Sequence, residues 1–280
     1  MSTRGVQLSG RRVLITGAGS GLGRRLALMA ARRGANVLAW DLDGSAAEAT
    51  ATLVQREGGS CSAERVDVTD EPQVQAAAEA AGAVDVLVNN AGVVTGGGLL
   101  EAGSSQIRRT FEVNVLAMYW TTQALLPGML RRDSGMIVNI SSAAGLAGVA
   151  RQTAYSASKH AVVGFTESLR AELRTGGHAV STFLVCPYYI NTGMFDGVRS
   201  RFPRLLPILE ESTVAAAIVR GIERGRQVYI TPPLARIVPL GRLLPVRTYD
   251  AVMDFLGINH SMDHFTGRRG QDRTSSGGWS

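Results

Sequence analysis

Tyr155 and Lys159, four residues apart in Tyr155-Ser156-Ala157-Ser158-Lys159, are the side chains best suited to moving a proton. On a helix, positions i and i+4 share a face. An ammonium beside a phenol favours the phenolate, which makes Tyr155 a usable acid/base near neutral pH. Isolated pairs of this spacing commonly sit on solvated helix faces. Here, however, Lys159 is the only lysine in the 280-residue chain, and every other strong base is arginine. A position that keeps lysine in such a composition needs a compact ammonium rather than a planar guanidinium. Upstream, Val138-Asn139-Ile140-Ser141-Ser142 ends in a hydroxyl that could hold a carbonyl oxygen while Tyr155 exchanges a proton. Ser142 could equally cap a turn. Asn114 stands in a helical stretch, where asparagine is a poor former, among Phe111, Val113, Val115 and Leu116. It is either a satisfied core amide or a functional one.

The second constellation lies near the N-terminus. Thr16-Gly17-Ala18-Gly19-Ser20-Gly21-Leu22-Gly23 follows an apolar strand and opens a helix. Glycines at 17, 21 and 23 suit a tight turn, a backbone approach to pyrophosphate and close helix–strand packing, and the helix N-terminus faces the phosphates. Asp41 ends the second strand about 20 positions on, where a carboxylate accepts the adenosine ribose hydroxyls and repels a 2′-phosphate. No arginine lies within the glycine loop or directly after Asp41, which favours NAD over NADP. Asp43, just before Gly44-Ser45, is better placed to cap the next helix. Asn89-Asn90-Ala91-Gly92 ends the fourth strand in a turn that could wall the adenine–ribose side.

The elements that must position these groups alternate along the chain. Short apolar runs predict strands at 12–16, 36–40, 63–68, 84–89, 135–141, 180–186 and 227–230, and helical stretches cover 21–33, 45–57, 71–81, 104–131, 155–174 and 212–224. Repeated strand–helix units with short connections predict a doubly wound parallel α/β sheet of Rossmann type. One domain over 1–265 is expected, with a substrate lid at about 193–211 and a flexible tail at 266–280. Ligands in such sheets sit at the carboxyl ends of the strands. The net charge of +6 carries no lysine/arginine block interleaved with aromatics, so nucleic acid is not an expected partner. No apolar run reaches the ~20 residues of a membrane span, and the N-terminus lacks a signal-peptide pattern. Cys61 and Cys186 lie far apart, which suits two buried thiols in a reducing cytoplasm.

Taken together, the glycine loop, Asn89-Asn90-Ala91-Gly92, Asn114, Ser142 and the Tyr155/Lys159 pair resemble the short-chain dehydrogenase/reductase family over residues 8–230. Phe111–Ala117, Trp120-Thr121-Thr122, Trp40-Asp41, Asn191–Phe195 and Met262–Phe265 are similar to its retinol and 17β-hydroxysteroid dehydrogenase branch. The resemblance implies a tetrad of Asn114, Ser142, Tyr155 and Lys159. In it Tyr155 is the general acid/base, Ser142 orients the carbonyl, Lys159 binds the nicotinamide ribose and lowers the tyrosine pKa, and Asn114 helps hold a water in a proton relay. It further implies that Asp67 and Val68 flank the adenine, and that Pro187, Ile190 and Thr192 meet the nicotinamide. Tyr188 departs from the glycine usual after that proline and may be read as an aromatic wall on the pocket.

The implied reaction is hydride transfer between NAD(H) and an alcohol or ketone. Met194, Phe195, Phe202, Leu205, Leu206 and the Tyr188-Tyr189 pair point to a bulky apolar substrate. A 3-oxoacyl thioester reductase is the alternative enzyme; Asp41 argues against the NADPH such reductions use. A homodimer or homotetramer is expected through stretches 104–131 and 155–174, whose Leu116, Met118, Trp120, Leu125, Val162, Val163, Phe165 and Leu169 exceed the needs of one core face. The 234–256 segment mixes apolar residues with Arg236, Arg242 and Arg247, and reads as lid or subunit packing ahead of a membrane-surface segment. His260 and His264 lack a ligand framework, and no metal is expected.

Overall fold

The computed structural model describes residues 5–267. Seven strands form one parallel sheet: β1 (Arg12–Thr16), β2 (Asn36–Asp41), β3 (Ser60–Arg65), β4 (Val86–Asn89), β5 (Met136–Ile140), β6 (Ser181–Pro187) and β7 (Val228–Thr231). Their order is β3-β2-β1-β4-β5-β6-β7. The chain reverses direction across the sheet between β1 and β4, so a crevice opens at the carboxyl ends of these two strands. β4, β5 and β6 are buried at every residue, as expected of central strands covered on both faces.

Helices α1 (Gly21–Ala31), α2 (Gly44–Arg56), α3 (Glu71–Ala81), α4 (Ser104–Phe111), α5 (Ala117–Arg131), α6 (Thr153–Thr175) and α7 (Glu211–Glu223) cover the two faces. One apolar layer gathers Leu22 and Leu26 of α1 with Val214 and Ile218 of α7 against Ile15, Val88 and Val138. The other gathers Val74 of α3, Leu125 and Met129 of α5 and Leu169 of α6 against Leu14, Leu87 and Ile137. This is the doubly wound architecture expected from the sequence.

Two boundaries and one burial pattern differ in instructive ways. The third strand lies at 60–65 rather than 63–68. It is the sheet edge, pairing only β2, and most of its side chains face solvent. The buried Val66 and Val68, which suggested a strand, instead pack from the loop beyond it. The stretch 104–131 is not one α-helix: residues Glu112–Leu116 form a π-turn between α4 and α5. Met118, Leu125, Val162 and Leu169, expected at a subunit interface, are buried within the chain's own core.

A chain of buried amides and hydroxyls crosses the second layer. Asn89 Nδ2 donates to Asn139 Oδ1 at 2.9 Å, Asn139 Nδ2 donates to Thr166 Oγ1 at 3.0 Å, and Thr121 Oγ1 donates to Asn89 Oδ1 at 2.7 Å. These bonds tie β4 and β5 to α5 and α6 just below the crevice. Asn139→Ala is expected to cost about 2 kcal/mol or more, because it leaves the buried Asn89 and Thr166 groups without that partner. The urea unfolding midpoint checks this; an unchanged midpoint would mean that the chain does not brace the fold.

Candidate active site

The crevice is a cleft of about 460 Å³ running from Asp41 and Asp67 at one end to Tyr155, Met194 and Phe195 at the other. Its floor is the glycine loop. Gly17 and Gly21 have φ of +64° and +52°, left-handed values that L side chains adopt rarely. Gly23 faces a different constraint: a Cβ there would lie 2.1 Å from Gly17 O and 2.6 Å from Asn90 Nδ2. At Gly19 a Cβ would lie 2.8 Å from Asp41 Oδ2. The cradle is thus free of side chains where a dinucleotide needs backbone contact. Ser20, at the N-cap of α1, makes no side-chain cap, which leaves first-turn N–H groups facing the cleft.

Asp41 is fixed by the loop it serves. Its Oδ2 accepts the Gly19 N–H at 2.7 Å and its Oδ1 accepts the Asp43 N–H at 3.0 Å. Asp43 caps α2, accepting from the N–H groups of Ser45 and Ala46. Asp67 accepts from Thr69 N and Oγ1, and lines the same end with Val66, Val68 and Thr69. The carboxylates of Asp41, Asp43 and Asp67 therefore crowd the position where a 2′-phosphate would fall. Two arginines that sequence reasoning overlooked approach from outside. Arg24 donates to Gly19 O and Thr50 Oγ1, and Arg65 donates to Leu42 O. Each guanidinium already has backbone or hydroxyl partners.

Asn90 spans the cleft floor. Its Nδ2 donates to Thr16 O at 2.9 Å and Gly17 O at 3.2 Å, while Thr16 Oγ1 accepts from the N–H groups of Asn90 and Ala91. Gly92 follows where a Cβ would lie 3.3 Å from Asn114 Oδ1 and 3.6 Å from Lys159 Nζ. Asn114 itself sits in the π-turn with its amide fully engaged. Oδ1 accepts Val93 N–H at 2.8 Å; Nδ2 donates to Val93 O at 2.9 Å and to Ser158 Oγ at 3.0 Å. Ser158 Oγ in turn donates to Tyr155 O. The side chain thus links the loop after β4 to the helix that carries Tyr155.

Helix α6 is stitched to the end of β5 at two points. Lys159 Nζ donates to Ile140 O at 2.9 Å, and Ser141 Oγ donates to Lys159 O at 2.8 Å. Ser142 caps the short turn after β5, accepting Ala144 N–H at 3.2 Å and donating weakly to Pro187 O at 3.4 Å. Ser142 is thus a cap, and it also lines the cleft with Tyr155. Burial pushes the Tyr155 phenol well above its ordinary range, with the Ser142 hydroxyl opposing the shift. Burial also lowers Lys159 to about 8. The Lys159 ammonium lies 5.7 Å from the Tyr155 ring centroid, on the same side of the cleft, and is bonded to Ile140 O.

The wall above Tyr155 is aromatic. Phe195 meets Tyr155 edge-on at 5.9 Å and Tyr189 at 5.1 Å, and Tyr189 meets Tyr188 at 4.6 Å. Tyr188 lines the cleft with Pro187, Ile190, Thr192 and Met194. Of the lid residues expected to form the pocket, Met194 and Phe195 do so. Leu206 is buried in the lid's own core. Phe202 turns away to pair with Phe255 at 5.6 Å, and Leu205 is exposed. Among the described residues, no group of three or more His, Cys, Asp or Glu side chains is placed to hold a metal.

Relatives share both the arrangement and the sequence. The short chain dehydrogenase family model matches residues 11–202. Epidermal retinol dehydrogenase 2 of Mus musculus is 39% identical, over 94% of this chain and 87% of that protein. Estradiol 17-beta-dehydrogenase 11 of Mus musculus is 38% identical, over 86% of this chain and 82% of that protein. The crystal structure of a short chain dehydrogenase/reductase from Burkholderia phymatum in complex with NAD superposes with a TM-score of 0.77. It is 32% identical and covers 89% of this chain and 96% of that one. The chain belongs to the short-chain dehydrogenase family.

Proposed function

We propose that the protein oxidises a bulky apolar secondary alcohol to its ketone, or reduces that ketone, with Tyr155 as general acid/base. One observation carries the reading: a single cleft joins the ribose-binding carboxylate Asp41 to the Ser142, Tyr155 and Lys159 side chains under an aromatic and thioether wall. When bound, NAD supplies the hydride acceptor. Asp41, the glycine loop and Asn90-Ala91-Gly92 are shaped for its adenosine and phosphates; Pro187, Ile190 and Thr192 border the other end.

Ser142 Oγ holds the substrate oxygen. Its 3.4 Å bond to Pro187 O is long enough to be exchanged for a better acceptor. The Tyr155 phenolate takes the hydroxyl proton as the carbinol C–H departs as hydride, and returns it in the reverse direction. Lys159 keeps its positive charge at the ribose side of the phenol, and Asn114 positions Tyr155 through Ser158. The greasy contacts of Met194, Phe195 and Tyr188 select an apolar carbon skeleton. Both cysteines are buried free thiols, with Cys61 pushed up to about 11 and Cys186 to about 12, which suits a reducing cytoplasm. The protein is also read as a homo-oligomer, and exposed Leu116 and Tyr119 on α5 and its preceding turn, with Phe165 edge-on to Tyr119 at 4.6 Å, support an interface there.

NAD is expected to exceed NADP in kcat/KM by more than ~10-fold, since a 2′-phosphate would meet the Asp41 carboxylate while the neighbouring Arg24 and Arg65 are already bonded. Asp41→Ala should narrow the gap, and equal use of both cofactors by the wild type would refute the assignment. Tyr155→Phe should lower kcat by ~10²–10⁴-fold while NAD still binds. Because the phenol is held protonated by burial, alcohol oxidation should rise with pH from neutral into the alkaline range and ketone reduction should not. Lys159→Arg should displace the oxidation profile to higher pH; a wild-type profile in that variant would remove Lys159 from the mechanism. Light scattering should give a mass that is a multiple of 29.6 kDa, and Leu116→Glu with Tyr119→Glu should return the single-chain mass. A monomeric wild type would remove the interface.

A further inference from the structure

The C-terminal segment is built with two apolar faces. Its inner face belongs to the lid: Leu234, Val238, Tyr249 and Leu256 pack with Met253 and Met262 against Tyr188 and Tyr189. Its outer face has no partner among the described residues. Leu243 is 84% exposed, Val246 75% and Leu240 64%, and Ile237 and Phe255 are exposed beside them. The stretch forms two short helices, Val238–Gly241 with Pro239 in its first turn and Val246–Phe255 preceded by Pro245, joined by the exposed Arg242-Leu243-Leu244 turn. Expected from the sequence to be covered by lid or subunit packing, this cluster is the most exposed group of large hydrophobic residues besides Leu99 and Leu100. Contiguous exposed apolar groups of this kind mark interaction surfaces.

Charge decides between occupants. From Arg224 to Phe255 the sequence holds five arginines against two carboxylates, Asp250 and Asp254, and Asp254 is bonded to Asn259. Arg236, Arg242 and Arg247 lie among the exposed leucines and valines, and Arg199, Arg201 and Arg204 lie on the adjoining lid. Arg201 stacks over Phe255 at 5.4 Å, which brings that lid cation to the edge of the apolar face. A second copy docking the same patch face to face would set arginines against arginines. A phospholipid surface with anionic headgroups instead accepts both features, the apolar side chains below the headgroups and the guanidiniums among the phosphates.

We propose that this face docks the protein on an anionic phospholipid surface, with Leu240, Leu243 and Val246 inserted. The docked face is the back of the wall over Tyr155, so docking would bring the apolar end of the cleft close to a bilayer that dissolves and delivers an apolar alcohol. The docking rests on the patch alone, whereas the delivery also rests on the function proposed above. No helix among the described residues is long and apolar enough to cross a membrane, so attachment by this face is peripheral.

Flotation of the full chain with phosphatidylcholine vesicles, with and without phosphatidylserine, tests the docking. The expected result is binding to the phosphatidylserine vesicles at least ~10-fold tighter than to phosphatidylcholine alone, weakened by salt. Leu243→Glu with Val246→Glu should lose at least ~10-fold in that binding. Both side chains are already in water, so the thermal midpoint and the activity on a short water-soluble secondary alcohol should stay at the wild-type level. Failure of wild type to float, or unchanged flotation of the double variant, would overturn the proposal. So would conversion of an oligomer to a monomer by the double variant, which would assign the face to a second copy. Loss of soluble-alcohol activity in Tyr155→Phe leaves flotation unaffected, so the two readings fail separately.

Discussion

A parallel sheet brings its strand ends to one edge, but its backbone ladder does not set the distance between those ends and the helices packed over them. In this protein that distance is set by side-chain amides and hydroxyls bonded to backbone. Asn90 holds the glycine turn to β4. Asn114 holds the following loop to the π-turn and, through Ser158, to the Tyr155 carbonyl. Ser141 and Lys159 hold α6 to β5. Each is a buried polar group whose alternative is an unsatisfied donor or acceptor, which makes the spacing costly to change. The side chains that line the cleft inherit their positions from this network.

The π-turn belongs to the same logic. An α-helix through Asn114 would advance 3.6 residues per turn and would rotate the amide away from Val93. One wider turn lets Asn114 point at the loop while Met118 and Leu125 on the following helix keep their buried positions. Such single wide turns frequently accompany functional sites. Sequence periodicity registered only an asparagine out of place in a helix, because a π-turn has no residue signature of its own.

Other features divide along similar lines. The glycine loop, Asp41, Ser142, Tyr155 and Lys159 were legible because each is a residue type that few other roles require at that point in a strand–helix repeat. The edge strand β3 was not: its side chains are half in solvent, so the apolar run marked the buried loop at Val66 and Val68 instead. Phe202 and Leu205 could not be told from pocket residues by composition, since an apolar side chain in a lid can face the ligand, the lid's own core or the outside. Arg24 and Arg65 were missed because a flexible guanidinium reaches several residues from where its Cα lies; only coordinates show that both reach the adenosine end.

The lone lysine sets function against stability. Burial lowers its pKa to about 8 from the 10.5 of a free side chain. A cationic group whose pKa falls on folding costs stability wherever the folded protein must hold it charged. That cost is fully present below about pH 8, shrinks as pH rises toward 10.5, and is absent above it. At neutral pH the fold therefore carries an ammonium whose one hydrogen bond is to a carbonyl and which lacks an ion-pair partner among the described residues. Two acids adjoin it, the Cys186 thiol and the Tyr155 phenol, and burial keeps both neutral. The two penalties are complementary. A phenolate at Tyr155 would give the ammonium its missing counter-charge, and the ammonium would give the phenolate the stabilisation that burial withholds. Either charge is costly alone in the same dry pocket, so a phenolate and an ammonium are tolerated there better together than singly.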